Sequence, residues 1–265
     1  MINAKNKVVE FHGDSIHYIT FGSGEKFLLL IPGLSTERIK GKAKQMAFFY
    51  RKFAKNYKVL IFDHPNTIER SYQIKDMAQE IAYCLNKLNI HKIDAVGVSQ
   101  GGMIAQSLAI NYPDLIEHLV LVATTARNNM KQNDVINNWI ALADKGDAKA
   151  LLSNMIDNVY SKQYLKKHKL IHVALKYMVK VKDLERFSIL AESCLTFDVY
   201  EQLGDIKSKT LVIGATLDKV IPVEYSDELA SRINCKKIIF KNSGHAIHQE
   251  ISDFNKIILR FLLST

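Results

Sequence analysis

The chain has 265 residues, 48% hydrophobic and 24% charged, with 12 Gly and 4 Pro, an ordinary globular composition that excludes a disordered, collagen-like or low-complexity protein. The formal charge of +9 rests on lysine, since Arg supplies 7 of the 36 basic residues; the lysines are scattered among carboxylates, unlike the arginine-bearing blocks of nucleic-acid readers. No apolar run approaches the roughly 20 residues that span a bilayer, and Met1 to Lys7 is polar, so a soluble, cytoplasmic protein without nucleic-acid or membrane partners is expected.

In chain order, short apolar runs at Val8–Phe11, Ile16–Phe21, Phe27–Ile31 and Lys58–Phe62 predict four strands. Asp76–Leu88 carries Met77, Ile81, Leu85 and Leu88 at helical spacing, and Ile93–Val98 follows as a strand. Gly102–Asn111 reads as a helix that closes before Pro113, and His118–Ala123 is a nearly all-apolar strand. Further on, Thr210–Gly214 and Lys237–Phe240 predict two more strands, and Phe254–Leu263 an amphipathic closing helix. Strands that alternate with helices and are apolar on both faces imply an α/β fold with a mainly parallel sheet covered on both sides.

Between the strands ending at Ala123 and starting at Thr210 lie 86 residues, whereas one crossover helix needs only a few tens. The surplus predicts a helical insertion over residues 126–204, interrupting a core made of 1–125 and 205–265. It holds helices at Asp134–Lys145, at Ala148–Tyr160 behind the cap Asp147, near Gln163–Val179 and at Asp183–Cys194. From Arg127 to Arg186 there are 12 basic residues against 6 acidic, a net of +6. Its lysines, among them Lys166, Lys167, Lys169, Lys176, Lys180 and Lys182, either face water or draw in anionic substrates. Cys84, Cys194 and Cys235 show neither pairing nor metal spacing and read as free thiols.

Gly97-Val98-Ser99-Gln100-Gly101 follows a strand and opens a helix. A random chain of this composition would show G-x-S-x-G about three times in a hundred, so the strand-turn-helix context carries the argument. In such a turn the residues two before and two after the serine pass close together, which glycine allows, and the N–H of Gln100 faces the place where an oxyanion forms. A serine hydroxyl needs a base, and the base needs a partner that holds its tautomer. Asp218 follows the strand Thr210–Gly214, and His245 follows Lys237–Phe240, both at strand carboxyl ends where ligands collect in open α/β sheets. Asp63, also at a strand end, precedes the serine and reads as structural. His248 and Glu250 lie near His245 but form no metal motif. Trp139, in helical register with Val135 and Leu142, reads as packing, with pocket lining as the alternative.

Over nearly its whole length the chain resembles the serine hydrolases of the α/β-hydrolase superfamily, through the elbow at Ser99, Gly214 to Asp218, and the S-G-H-x-x-x-x-E segment Ser243 to Glu250. The resemblance implies an acyl-enzyme on Ser99, with His245 as base and Asp218 as its orienting acid. It also implies a lid formed by the insertion, and no cofactor or metal. The loop Leu30-Ile31-Pro32-Gly33-Leu34-Ser35 matches the family's oxyanion loop and assigns Leu34 as a second backbone donor beside Gln100; it departs from the family in bearing Pro32 where His is usual. His64-Pro65-Asn66 likewise replaces a glycine-bearing turn. A serine nucleophile sets this chain apart from the epoxide hydrolases and dehalogenases, which use a carboxylate. Gln100 and Ala246 stand where proline iminopeptidases and ring-fission C–C hydrolases commonly carry Trp. The expectation is hydrolysis of a small-molecule carboxylic ester, lactone or thioester. The alternatives are a C–C hydrolase or acyltransferase on the same triad, or a low-turnover ligand receptor on the same fold.

Overall fold

The computed structural model describes residues 3–169 and 183–264. Eight strands, β1 (Lys5–Phe11), β2 (Asp14–Phe21), β3 (Lys26–Ile31), β4 (Tyr57–Phe62), β5 (Ile93–Val98), β6 (Ile116–Val122), β7 (Lys209–Ala215) and β8 (Lys236–Phe240), form one sheet in the order β1-β2-β4-β3-β5-β6-β7-β8. β1 and β2 make an antiparallel hairpin about His12 and Gly13. Both turn residues have positive φ, 44° and 85°, as the two-residue turn that matches strand twist requires. β2 meets β4 antiparallel, and every pairing from β4 through β3 to β8 is parallel.

The described α-helices are α1 (Ala43–Phe49), α2 (Ile74–Lys87), α3 (Gln100–Asn111), α4 (Met130–Asp144), α5 (Ala148–Val159), α6 (Lys162–Lys167), α7 (Leu184–Leu195), α8 (Glu224–Ile233), α9 (Ile247–Glu250) and α10 (Phe254–Leu262). All eight predicted strands are present, β1, β2 and β6 starting two or three residues earlier than the apolar pattern alone indicates. α1, α8 and the single-turn α9 are additions. Their starts at Lys42, Val223 and Ala246 carry no capping side-chain bond, so the usual start signal is missing. α4 starts at Met130, ahead of the expected Asp134, because Asn129 accepts from the Gln132 N–H at 2.9 Å. Asp147 caps α5 as read, taking the Ala150 N–H at 2.9 Å. α3 starts at Gln100, two residues before the predicted Gly102. Of the helix expected near Gln163–Val179, α6 is seen, and 170–179 lies outside the described residues, as do Lys176, Lys180 and Lys182.

Alternation along the strands splits the core into two layers. In β3, Leu29 and Ile31 join Met77, Leu85 and Leu108 of α2 and α3 on one face. Leu28 and Leu30 join Phe53, Ile258 and Leu262 on the other. Each such fully buried side chain contributes about 1.5–3 kcal/mol. The helices between β6 and β7 pack on the carboxyl edge of the sheet. There the Gln100 side chain donates to the Leu190 carbonyl at 2.5 Å, and the Ala246 N–H donates to the Val159 carbonyl at 2.9 Å. No helix among the described residues is long and apolar enough to cross a membrane.

Candidate active site

β5 delivers Ser99 into a turn with φ 55° and ψ −121°, a conformation non-glycine residues avoid unless their surroundings enforce it. Two bonds do so here. The Ser99 N–H donates to the Val122 carbonyl at 2.9 Å, and its own carbonyl accepts from Thr124 Oγ1 at 2.8 Å. The flanking glycines are sterically obligatory. A Cβ on Gly97 would lie 2.4 Å from the Gly101 oxygen, and one on Gly101 2.1 Å from the Ile31 oxygen. Gly33 brings the loop after β3 against the same turn, since its Cβ would meet that of Ser99 at 3.0 Å. Gln100 is the first residue of α3, so its N–H has no partner within the helix. Among the described residues neither that N–H nor the one of Leu34 has an acceptor.

Asp218 follows β7 with its side chain 1% exposed. Its Oδ1 accepts from the Val220 and Ile221 N–H groups, both at 2.8 Å, and its Oδ2 bonds His245 Nδ1 at 2.7 Å. The carboxylate is therefore clamped on one side and holds the imidazole on the other, leaving Nε2 as the free ring nitrogen. His245 sits where a Cβ on the preceding Gly244 would meet the Ser161 nitrogen at 2.7 Å. Glu250, the last residue of the S-G-H-x-x-x-x-E segment, is taken up by Ser161, whose N–H and Oγ both lie 2.7 Å from its carboxylate oxygens.

Ser99, His245 and Leu34 line one cavity of about 580 Å³. Its walls are mostly apolar, with Trp139, Met155, Ile156 and Leu190 contributed from between β6 and β7. Trp139 is both packing and lining, being 2% exposed and held by Nε1 to Asn154 Oδ1 at 3.0 Å. Cys84 also lines the cavity, but burial pushes its thiol up to about 12. A thiol so raised stays protonated at neutral pH. His248, which also lines the cavity, is driven down to about 4 by burial and by the neighbouring His245.

One end of the cavity is polar, and sequence reasoning missed it. Arg38 Nε bonds Asp63 Oδ2 at 3.2 Å, and its Nη2 bonds the His64 carbonyl at 2.8 Å, which gives Asp63 its structural role. Burial, aided by the charge of Arg186, pushes His64 down to about 4. Burial raises Glu80 to about 7, and its carboxylate accepts from the Tyr72 hydroxyl. The legible signals were polar residues on core faces: Glu80 falls between Met77 and Ile81 on the buried face of α2, and Arg186 between Leu190 and the start of α7. Among the described residues, Asp94, Glu117 and His118 bring three metal-capable groups together away from this cavity. Asp94 is engaged by Tyr57 and His118, and Glu117 by Lys26 and Lys92.

A parallel sheet bearing a strained serine after β5, with an acid after β7 and a histidine after β8, defines a class. The family model described as alpha/beta hydrolase fold matches residues 26–250, and the chain belongs to that family. It is 23% identical over 255 residues to a Rhizobium rhizogenes protein provisionally named carbamate hydrolase RutD, covering 89% of this chain and 92% of the relative. It is 25% identical to the pyrrolizixenacetamide deacetylase of Xenorhabdus hominickii, covering 74% of each. Among solved structures, MGS-M2, an alpha/beta hydrolase enzyme from a Medee basin deep-sea metagenome library, superposes with a TM-score of 0.86 at 25% identity over 98% of both chains. Hydrolase is the class these proteins share.

Proposed function

We propose that the protein is a serine hydrolase that cleaves a small carboxylic ester, lactone or thioester through an acyl-enzyme on Ser99. The observation that carries this reading is the strained Ser99 in one cavity with His245, whose Nδ1 is bonded to the clamped Asp218. Ser99 Oγ attacks the acyl carbon while His245 Nε2 takes its proton. The oxyanion is met by the N–H groups of Gln100 and Leu34. Collapse expels the leaving group, which carries off the proton held by His245. Water then attacks the acyl-enzyme, His245 again taking and returning a proton, and Ser99 is regenerated. Residues 126–204 serve as the lid, shaping the acyl pocket with Trp139, Met155 and Leu190.

Turnover of a panel of esters, lactones, thioesters, carbamates and amides tests the reading. Wild type is expected to hydrolyse short p-nitrophenyl esters, and Ser99→Ala to lose at least about 10³-fold in kcat/KM with an unchanged circular-dichroism spectrum. Retained turnover in the variant would overturn the serine mechanism. Activity confined to ring-fission dienes would move the assignment to C–C hydrolysis, and a single burst without turnover would move it to a receptor.

A further inference from the structure

Arg186, in the first turn of α7, is 8% exposed and lines the cavity that contains Ser99. Its Nη2 is shut off from solvent and has no hydrogen-bond partner among the described residues. Its Nη1 makes one long contact, 3.4 Å to the Asn66 carbonyl. The carboxylates around it are committed elsewhere. Asp63 is taken by Arg38 and by the N–H groups of Ile39 and His64. Asp183 caps α7 by accepting the Arg186 N–H at 3.0 Å. Glu80 is bonded to Tyr72. A buried guanidinium with unspent donors is costly unless an anion completes it, and the planar fork matches a carboxylate best.

We propose that Arg186 is the anion-binding subsite of this cavity and that the substrate is an ester bearing a free carboxylate on its acyl chain. This inference rests on the serine-hydrolase reading for the position of the scissile bond. Ser99 and Arg186 line the same cavity, and Gln100, next to Ser99, holds the carbonyl of Leu190 in the helix that carries Arg186, so a substrate with an ester at one end and a carboxylate at the other can engage both groups. Arg38, already tied to Asp63, adds no second free fork, so a monoanionic carboxylate suits the site better than a phosphate dianion.

The test compares mono-p-nitrophenyl adipate with its methyl ester, a neutral isostere, on wild type, Arg186→Gln and Arg186→Lys. The ratio of kcat/KM, anionic over neutral, is expected to favour the anion in wild type. It should fall about 10- to 100-fold in Arg186→Gln, as loss of a charge-assisted bond predicts, and recover in part in Arg186→Lys. A ratio unchanged by Arg186→Gln overturns the proposal. Binding separates this failure from failure of the serine reading. Adipate should raise the melting temperature of both wild type and Ser99→Ala, and leave Arg186→Gln where it was. Absence of any adipate effect on wild type would also overturn the subsite, whatever the esters show.

Discussion

Glu80 occupies a helix face otherwise given to Met77, Ile81 and Cys84, and its placement makes stability depend on pH. Burial lifts its carboxyl from 4.5 to about 7, so the folded chain holds this proton more tightly than the unfolded one. The associated stability is complete below about pH 4.5 and is lost as pH rises through about 7. Glu80→Gln keeps an acceptor for the Tyr72 hydroxyl and removes the charge. It should match wild type near pH 4.5 and exceed it at pH 8 by up to about 3 kcal/mol in denaturant unfolding, the shift converted at 1.36 kcal/mol per pKa unit. An equal difference at both pH values would show that burial of the charge is not the cause. His64 and His248, both depressed to about 4, act with the opposite sign. Their stability is present above about 6.5 and is lost as pH falls toward 4.

The elbow shows how an element imposes its geometry on single residues. Gly101 approaches the carbonyl of Ile31 so closely that an added Cβ would sit 2.1 Å from it, whereas a Cβ on Gly204, in the turn Tyr200–Asp205, meets nothing within 4 Å. Gly101→Ala should therefore lower stability by about 1–3 kcal/mol, as overpacking does, and displace Ser99. Gly204→Ala should stay within about 0.5 kcal/mol of wild type. Comparable melting temperatures for the two variants would contradict the steric account. This part of the molecule was legible in the sequence, because G-x-S-x-G must follow a strand and open a helix to be an elbow, and β5 and α3 flank Ser99 as that context requires. The polar end of the cavity was far less so. Arg38 and Asp63 meet across 25 residues, and Arg186 reaches Asn66 across 120; contacts at that range are set by the tertiary fold and leave no local periodicity to read. α1 and α8 escaped for a smaller reason, the absence of a capping residue at either start.

At the scale of the whole molecule, the helices between β6 and β7 are stitched to the sheet at the loops that carry the site. Ser161 is bonded to Glu250 five residues beyond His245, and Gln100 is bonded to α7 one residue beyond Ser99. The lysines described in this region, such as Lys145, Lys149, Lys166 and Lys167, are exposed, while Arg186 is the buried cation that faces the cavity. Of the described cations between β6 and β7, Arg186 is thus the one that lines the cavity, joined there by Arg38 and Lys42 from before β4, with the lysines of this region outside it. All of this organisation has a chemical purpose only if Ser99 is the group that accepts the acyl chain. The most direct measurement is mass spectrometry of the protein after reaction with a fluorophosphonate, with the modified peptide sequenced. The expected result is one adduct per chain, on Ser99, and none on Ser99→Ala. An unmodified wild type, or an adduct on another residue that persists in Ser99→Ala, would contradict the account.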